Sequence, residues 1–195
     1  MQDCEKAVCK LDNERRTSMN VTECIKTRRS IRKYKNDSVD REVVRQIVEE
    51  ASYSPSWKHT QIARYTVVED VEVKARIAKH CAPYNAAIVE QAPMVAVVSF
   101  IKERSGYERD GSFTTAKGSG WQMFDTGIAC QTFCLSAHDK GLGTVIMGVF
   151  DDAEVAKELE IPETQEVAAL IAVGYADIEP EVPVRKEVGV LLEFR

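Results

Sequence analysis

The twenty residues from Trp121 to Lys140 carry apolar side chains on several faces at once, among them Phe124, Ile128, Ala129, Phe133, Leu135 and Ala137. A helix with a single apolar stripe lies on a surface, whereas one that is apolar around its circumference must be covered on all sides. This segment therefore reads as a helix in the middle of a core. Gly141 ends it, because glycine suits the left-handed position that closes a helix.

The cover has to come from elsewhere in the chain. Met94 to Phe100 and Val167 to Val173 are strand-length apolar runs and read as buried strands, with shorter strands at Tyr65 to Val68 and near Thr144 to Val149. Val43, Val44, Ile47, Val48 and Ala51 form a stripe on a helix that starts near Arg41. Asp40 is its cap, Val39 and Val44 are its staple, and Pro55 follows its end. Asp70 caps a second helix running to about Cys81, and Asp152 caps a short one that Pro162 ends. Alternating helix and strand would by itself suggest a doubly wound parallel sheet that binds a nucleotide. The glycines argue against this: Gly141, Gly143 and Gly148 follow a helix and flank a strand, whereas a dinucleotide fingerprint sits between a strand and the next helix. No GK[ST] sequence is present either, so a phosphate would have to be gripped by side chains.

Those side chains are conspicuous. Six of the ten residues from Lys26 to Lys35 are basic and none is acidic, in a chain of net charge −5. Removing the six leaves the rest of the chain at −11. The run is thus a local trap for an anion within an acidic protein, which argues against nonspecific nucleic-acid binding. Arginine suits phosphate because its planar fork makes two parallel hydrogen bonds. A basic run alone is more often a solvated face, so the assignment needs other motifs beside it.

At 195 residues, 44% hydrophobic and 29% charged, the chain reads as one globular domain over residues 19–195, preceded by a polar extension, 1–18, expected to be frayed. No apolar run approaches the roughly 18 residues that span a bilayer, and a cytoplasmic location without membrane contact is expected. Cysteines 4, 9, 24, 81, 130 and 134 are too irregular for a disulfide scaffold. Cys130, Cys134 and His138 share a helical stripe but lack an apparent fourth ligand, so no metal site is expected. No Ser-His-Asp or Cys-His pairing is recognisable.

Arg28-Arg29-Ser30-Ile31-Arg32-Lys33-Tyr34 resembles the opening RRSxRxY element of the nitroreductase family of FMN-dependent oxidoreductases. Ser54-Pro55-Ser56-Trp57-Lys58-His59-Thr60-Gln61, Gly141-Leu142-Gly143-Thr144 running to Gly148 and Phe150, Val173-Gly174-Tyr175, and Pro183-Val184-Arg185-Lys186 follow in the family's order. The resemblance covers about residues 20 to 195. It implies an α+β fold with a central, mostly antiparallel sheet flanked by helices. It also implies a homodimer with FMN at the subunit interface and the C-terminal arm exchanged over the partner, which would use the apolar residues Val188, Val190, Leu191, Leu192 and Phe194.

Carried over position by position, the resemblance gives Arg28 and Arg185 the FMN phosphate, Ser30 a hydroxyl contact, and Arg29 and Arg32 the ribityl and pyrimidine end. Arg32 is the candidate cation near flavin N1 and O2, where positive charge raises the reduction potential. Pro55, Ser56, Trp57, His59 and Gln61 match the loop contributed by the second subunit. Here His59 stands for the family's usual asparagine, and Ile62-Ala63 for its Pro-Trp. Asn85 matches a flavin-contacting asparagine by its offset from Ala92. The Ile146 to Gly148 segment, with Met147 and Gly148, matches the backbone that faces flavin N5. The implied chemistry is ping-pong transfer of hydride from NADH or NADPH to a small electron-poor acceptor such as a nitroaromatic or a quinone. No protein nucleophile is needed, and the Gly/Ser/Thr-rich stretch between Ile101 and Trp121 would be a substrate-selecting lid. Dehalogenation, flavin breakdown or dehydrogenation on the same fold, and a non-enzymatic flavin-binding role, stay open at this level.

Overall fold

The computed structural model describes residues 19–195; the extension 1–18, with Cys4 and Cys9, lies outside the described residues. The sheet is built on strand β2 (Met94–Ile101), buried over all but its last residue. It pairs antiparallel with β1 (Ala63–Val68) on one side and with β4 (Gln165–Gly174) on the other. Strand β4 in turn pairs antiparallel with β3 (Gly143–Met147), giving the order β1-β2-β4-β3. The two longest apolar runs thus take the two central places, where both faces of a strand are covered. The parallel sheet suggested by alternation does not form.

Successive strand residues point to opposite faces, so the central pair feeds two cores. Val95, Val97, Leu170 and Ala172 enter one; Met94, Ala96, Val98, Ile171 and Val173 enter the other. The first is closed by α3 (Val71–Ala78), α4 (Pro83–Gln91) and α6 (Asp152–Glu158) through Ile77, Ile88, Val89 and Val155. The second is closed by α2 (Arg41–Ser52) and α5 (Gly120–Asp139) through Val44, Ile47, Ala51, Cys130, Phe133 and Ala137. Helix α5 is the expected long helix, and Gly141 beyond it has φ 77°, but it is not covered on all sides: Ala129, Cys130, Phe133, Cys134 and Ala137 are buried, whereas Met123 and Phe124 near its start are 52% and 59% exposed. Among the described residues no helix is long and apolar enough to cross a membrane.

Three local expectations are corrected. Helix α3 stops at Ala78, not Cys81, and α4 follows at once from Pro83, a helix absent from the pattern reading because Ala82 offers no side-chain cap and its apolar residues keep no sharp period. The cap of α6 is Asp151, whose carboxylate accepts from Glu154 N–H, and Asp152 is the first helical residue. The remaining helices are α1 (Val21–Thr27), before the basic run, and α7 (Val188–Leu191) in the C-terminal arm. Among the described residues that arm is exposed from Glu181 to its end: Val184 is 99% exposed and Phe194 89%.

Candidate active site

The basic run is laid across the end of the sheet. Ser30 forms a parallel bridge with Thr144, and Ile31 N–H donates to Thr144 O at 2.9 Å. The Tyr34 hydroxyl lies 2.6 Å from Ile31 O and 3.2 Å from Ala172 O. Two glycines make the approach possible: a Cβ on Gly143 would stand 2.6 Å from Ile31 Cγ1, and one on Gly174 2.6 Å from Pro93 Cδ and 2.9 Å from the Tyr34 ring. Of the glycines that argued against a dinucleotide loop, Gly143 serves close packing of this segment instead.

With its backbone fixed, the segment presents charge that the protein itself does not neutralise. Among the described residues, Arg28, Arg29 and Arg32 form no ion pair with a carboxylate. The guanidinium of Arg29 donates to Lys26 O at 2.7 Å and Arg28 O at 2.8 Å, at the end of α1, while that of Arg32 makes one longer bond, to Ser30 O at 3.3 Å. Gln91 Nε2, at the end of α4, donates to Arg32 O at 3.0 Å. Near the start of the same helix Asn85 Nδ2 donates to Val149 O at 3.2 Å, which puts it beside Gly148. Asn85 and Gln91 are six residues apart, about 9 Å along α4. Gly148 is exposed, and a Cβ there would meet nothing within 4 Å, while Met147 is buried and Ile146 45% exposed. Arg185 lies on the exposed arm.

Arg28 and Arg29 also act on their neighbours. The His138 imidazole is held below its ordinary value of 6.5, first by burial and then by these two guanidinium charges. Thr27 Oγ1 is 2.8 Å from His138 Nε2. Burial pushes the Cys134 thiol up, against the opposing pull of Thr144 and Arg28. Cys134 and His138 are thus engaged with core and hydroxyl partners. A neighbouring groove of ≈ 930 Å³ is lined by Arg29, Lys35 and His138, but also by Asp139, Asp177 and Glu179, so its charge is mixed.

The 54–61 loop sits elsewhere. Trp57 N–H donates to Asp125 Oδ2 at 2.8 Å and Ser54 Oγ donates to Thr132 Oγ1 at 2.7 Å, in the first two-thirds of α5. Asp125 and His138 are thirteen residues apart, about 20 Å along the helix. A single chain therefore carries the basic segment near one end of α5 and this loop toward the other. Three non-glycine residues of the loop have positive φ: Lys58 (45°), His59 (59°) and Gln61 (48°). Each costs of order 1–3 kcal/mol, and such conformations persist only where the surroundings enforce them. Here Gln61 N–H donates to Ser56 Oγ at 3.0 Å, the side chains of Gln61 and His59 approach to 3.1 Å, and Lys58 Nζ pairs with Glu108 at 2.9 Å. Pro55 and His59 are exposed. Trp57 packs on Trp121 with ring centroids 4.7 Å apart, and Trp121 packs edge-on to Phe124 at 5.5 Å. The Trp57 indole N–H is buried without an acceptor among the described residues. Behind the loop is a cavity of ≈ 240 Å³ lined in part by Ser54, Ser56, Gln61, Tyr65 and Asp125.

Asp125 has no place in the sequence reading, while Thr60 and Ser105 enter it only as members of the 54–61 motif and of the stretch between Ile101 and Trp121. Asp125 is 4% exposed and Ser105 fully buried. The one signal available was an acid set between Phe124 and Ile128 in a helix otherwise read as core, since carboxylates are almost never buried without a partner. The proposed lid is tied down at its base by Ser105, and Tyr107 bridges Phe113 further out.

Comparison with known proteins follows the same lines. The model of the nitroreductase family matches residues 25–83 and 81–175. A protein of Methanothermobacter thermautotrophicus, provisionally named an NADH dehydrogenase/NAD(P)H nitroreductase, is 34% identical over 168 residues, 84% of this chain and 81% of the relative. Among solved structures, an FMN-dependent nitroreductase from Clostridium difficile superposes with a TM-score of 0.70 at 26% identity, covering 84% of this chain and 92% of that one. The NADPH:FMN oxidoreductase of Vibrio harveyi complexed with NAD+ gives 0.75 at 25% identity, covering 89% and 76%. Motif order, sheet topology and these matches agree, and the chain belongs to the nitroreductase family.

Proposed function

We propose that this protein is an FMN-dependent oxidoreductase that takes hydride from NADH or NADPH and delivers it, in a second half-reaction at the same site, to a small electron-poor acceptor such as a nitroaromatic or a quinone. The observation that carries the reading is the row Arg28, Ser30 and Arg32, without carboxylate partners among the described residues, bridged at Ser30 to Thr144 in the strand that leads to the exposed backbone at Gly148. The relatives named for NAD(P)H and FMN support the cofactors.

The donor set fits FMN. Arg28, joined by Arg185 from the C-terminal arm, would hold the phosphate, and Ser30 would add a hydroxyl. Arg32, held by Gln91, would place a positive charge at the pyrimidine edge, and Arg29 would support the ribityl side. Asn85, which donates to Val149 O next to Gly148, would contact the flavin ring. Bound there, FMN supplies a two-electron centre that exchanges hydride at its N5. The protein binds, orients and shields. No side chain is required as a nucleophile, and water supplies the protons.

The 54–61 loop enters from a second copy of the chain. Its distance from the basic segment within one chain, and the uncovered apolar arm, both support a homodimer whose sites combine the two regions. The segment between Ile101 and Trp121 would select the acceptor. The test is to purify the protein, record its visible spectrum anaerobically, and add NADH and NADPH in turn. A yellow protein bleached by at least one of them, and recoloured by a nitroaromatic or a quinone, is expected. Colourless protein that takes up no FMN contradicts the proposal.

A further inference from the structure

We infer that Asp125 is a positioning residue: it holds the 54–61 loop in the left-handed conformation that the site needs, through a hydrogen-bond network shared with Ser105 and Thr60. One carboxylate oxygen, Oδ2, accepts from Trp57 N–H at 2.8 Å and from Ser105 Oγ at 2.6 Å. Ser105 Oγ is in turn 2.7 Å from Thr60 Oγ1. Trp57 and Thr60 bracket Lys58 and His59, two of the positive-φ residues, and Gln61, the third, adjoins Thr60. The network therefore grips the loop on both sides of its strained turn and ties the start of the 102–119 segment to the same point.

The placement is not one that folding alone requires. A buried carboxylate is costly, and replacing such a group together with its partners by apolar groups of the same shape can be nearly neutral for folding. Asp125 joins no core element to another: both its donors belong to a connecting segment, one to the loop and one to the lid. Loss of the carboxylate releases a turn that its own backbone disfavours.

The inference rests on the proposal that this loop faces FMN, and two readouts keep the two apart. In the full-length protein, Asp125→Ala is expected to weaken FMN binding about tenfold or more, followed by flavin fluorescence, with far-UV circular dichroism unchanged. Trypsin cleavage after Lys58, followed by mass spectrometry without added FMN, is expected to speed up by a similar factor of about ten. Asp125→Asn keeps an acceptor in the same place and should stay within about threefold of wild type in both assays, a rescue that a purely electrostatic role would not give. Ser105→Ala, which leaves the helix untouched, should reproduce part of both effects if Asp125→Ala fails to fold. Wild-type affinity and wild-type cleavage in Asp125→Ala and Ser105→Ala overturn the inference. A wild-type chain that binds no FMN overturns the cofactor proposal alone, and the cleavage rates then decide the role of Asp125.

Discussion

The two regions proposed to form one site are built on opposite principles. The basic segment is conformationally relaxed and electrostatically unsatisfied: Ile31 and Tyr34 lie against the sheet end, while Arg28 and Arg32 have no carboxylate partner among the described residues. The 54–61 loop is the reverse. Its polar groups are largely satisfied internally, and its backbone is strained. One region waits for charge from a ligand; the other supplies a fixed shape. Damage to the first should therefore appear as lost affinity with unchanged loop geometry, and damage to the second as lost geometry first.

The largest effect expected is from Arg28→Ala combined with Arg185→Ala. Two charge-assisted contacts to phosphate, at about 2 kcal/mol each, correspond to roughly a thousandfold weaker FMN binding. Flavin fluorescence checks this, and cleavage after Lys58 should stay at the wild-type rate. Arg29→Ala is the internal control. Because its guanidinium is spent on Lys26 O and Arg28 O, it should cost no more than about tenfold. An Arg29 effect equal to that of Arg28 would mean that the two share one role.

A smaller effect concerns pH. His138 has its folded pKa depressed below 6.5, so the folded state binds fewer protons than the unfolded one just below that value. The stability it contributes is present above about pH 6.5 and is lost as pH falls through that value toward the folded pKa. His138→Gln should flatten this part of the melting-temperature profile. Arg28→Ala should raise the His138 pKa, and so should bound FMN phosphate; the imidazole proton resonances report both shifts. Substitutions in the 54–61 loop should leave it unmoved. The smallest effect is at Lys58→Ala, whose pair with Glu108 is solvent-exposed and should change the melting temperature little.

The contrast also separates what was legible in the sequence from what was not. Charge and apolar runs are properties of residue types, so the anion trap, the two central strands and the long helix α5 could be read directly. Asp40 and Asp70 cap the helices assigned to them because a carboxylate one residue before an amphipathic stripe has one place to bond. Asp151 and Asp152 are adjacent, and only geometry decides between them. Helix α4 was hidden because only the adjacent Ile88 and Val89 are buried, and two neighbours make no stripe. The strain at Lys58, His59 and Gln61 was invisible because none is a glycine, and the network that enforces it joins residues 60, 105 and 125, distant in sequence and of common types.

The composite nature of the site is the central claim, and subunit complementation tests it most directly. Arg28→Ala/Arg32→Ala protein, differently tagged, would be unfolded and refolded together with Asp125→Ala/Ser105→Ala protein, and the mixed dimers isolated by both tags. If each site takes its basic segment from one chain and its loop from the other, a mixed dimer holds one intact site and one with both defects. FMN should then bind at near wild-type affinity to half the sites, although both parents bind weakly. Mixed dimers with no high-affinity site would mean that each chain builds its site alone.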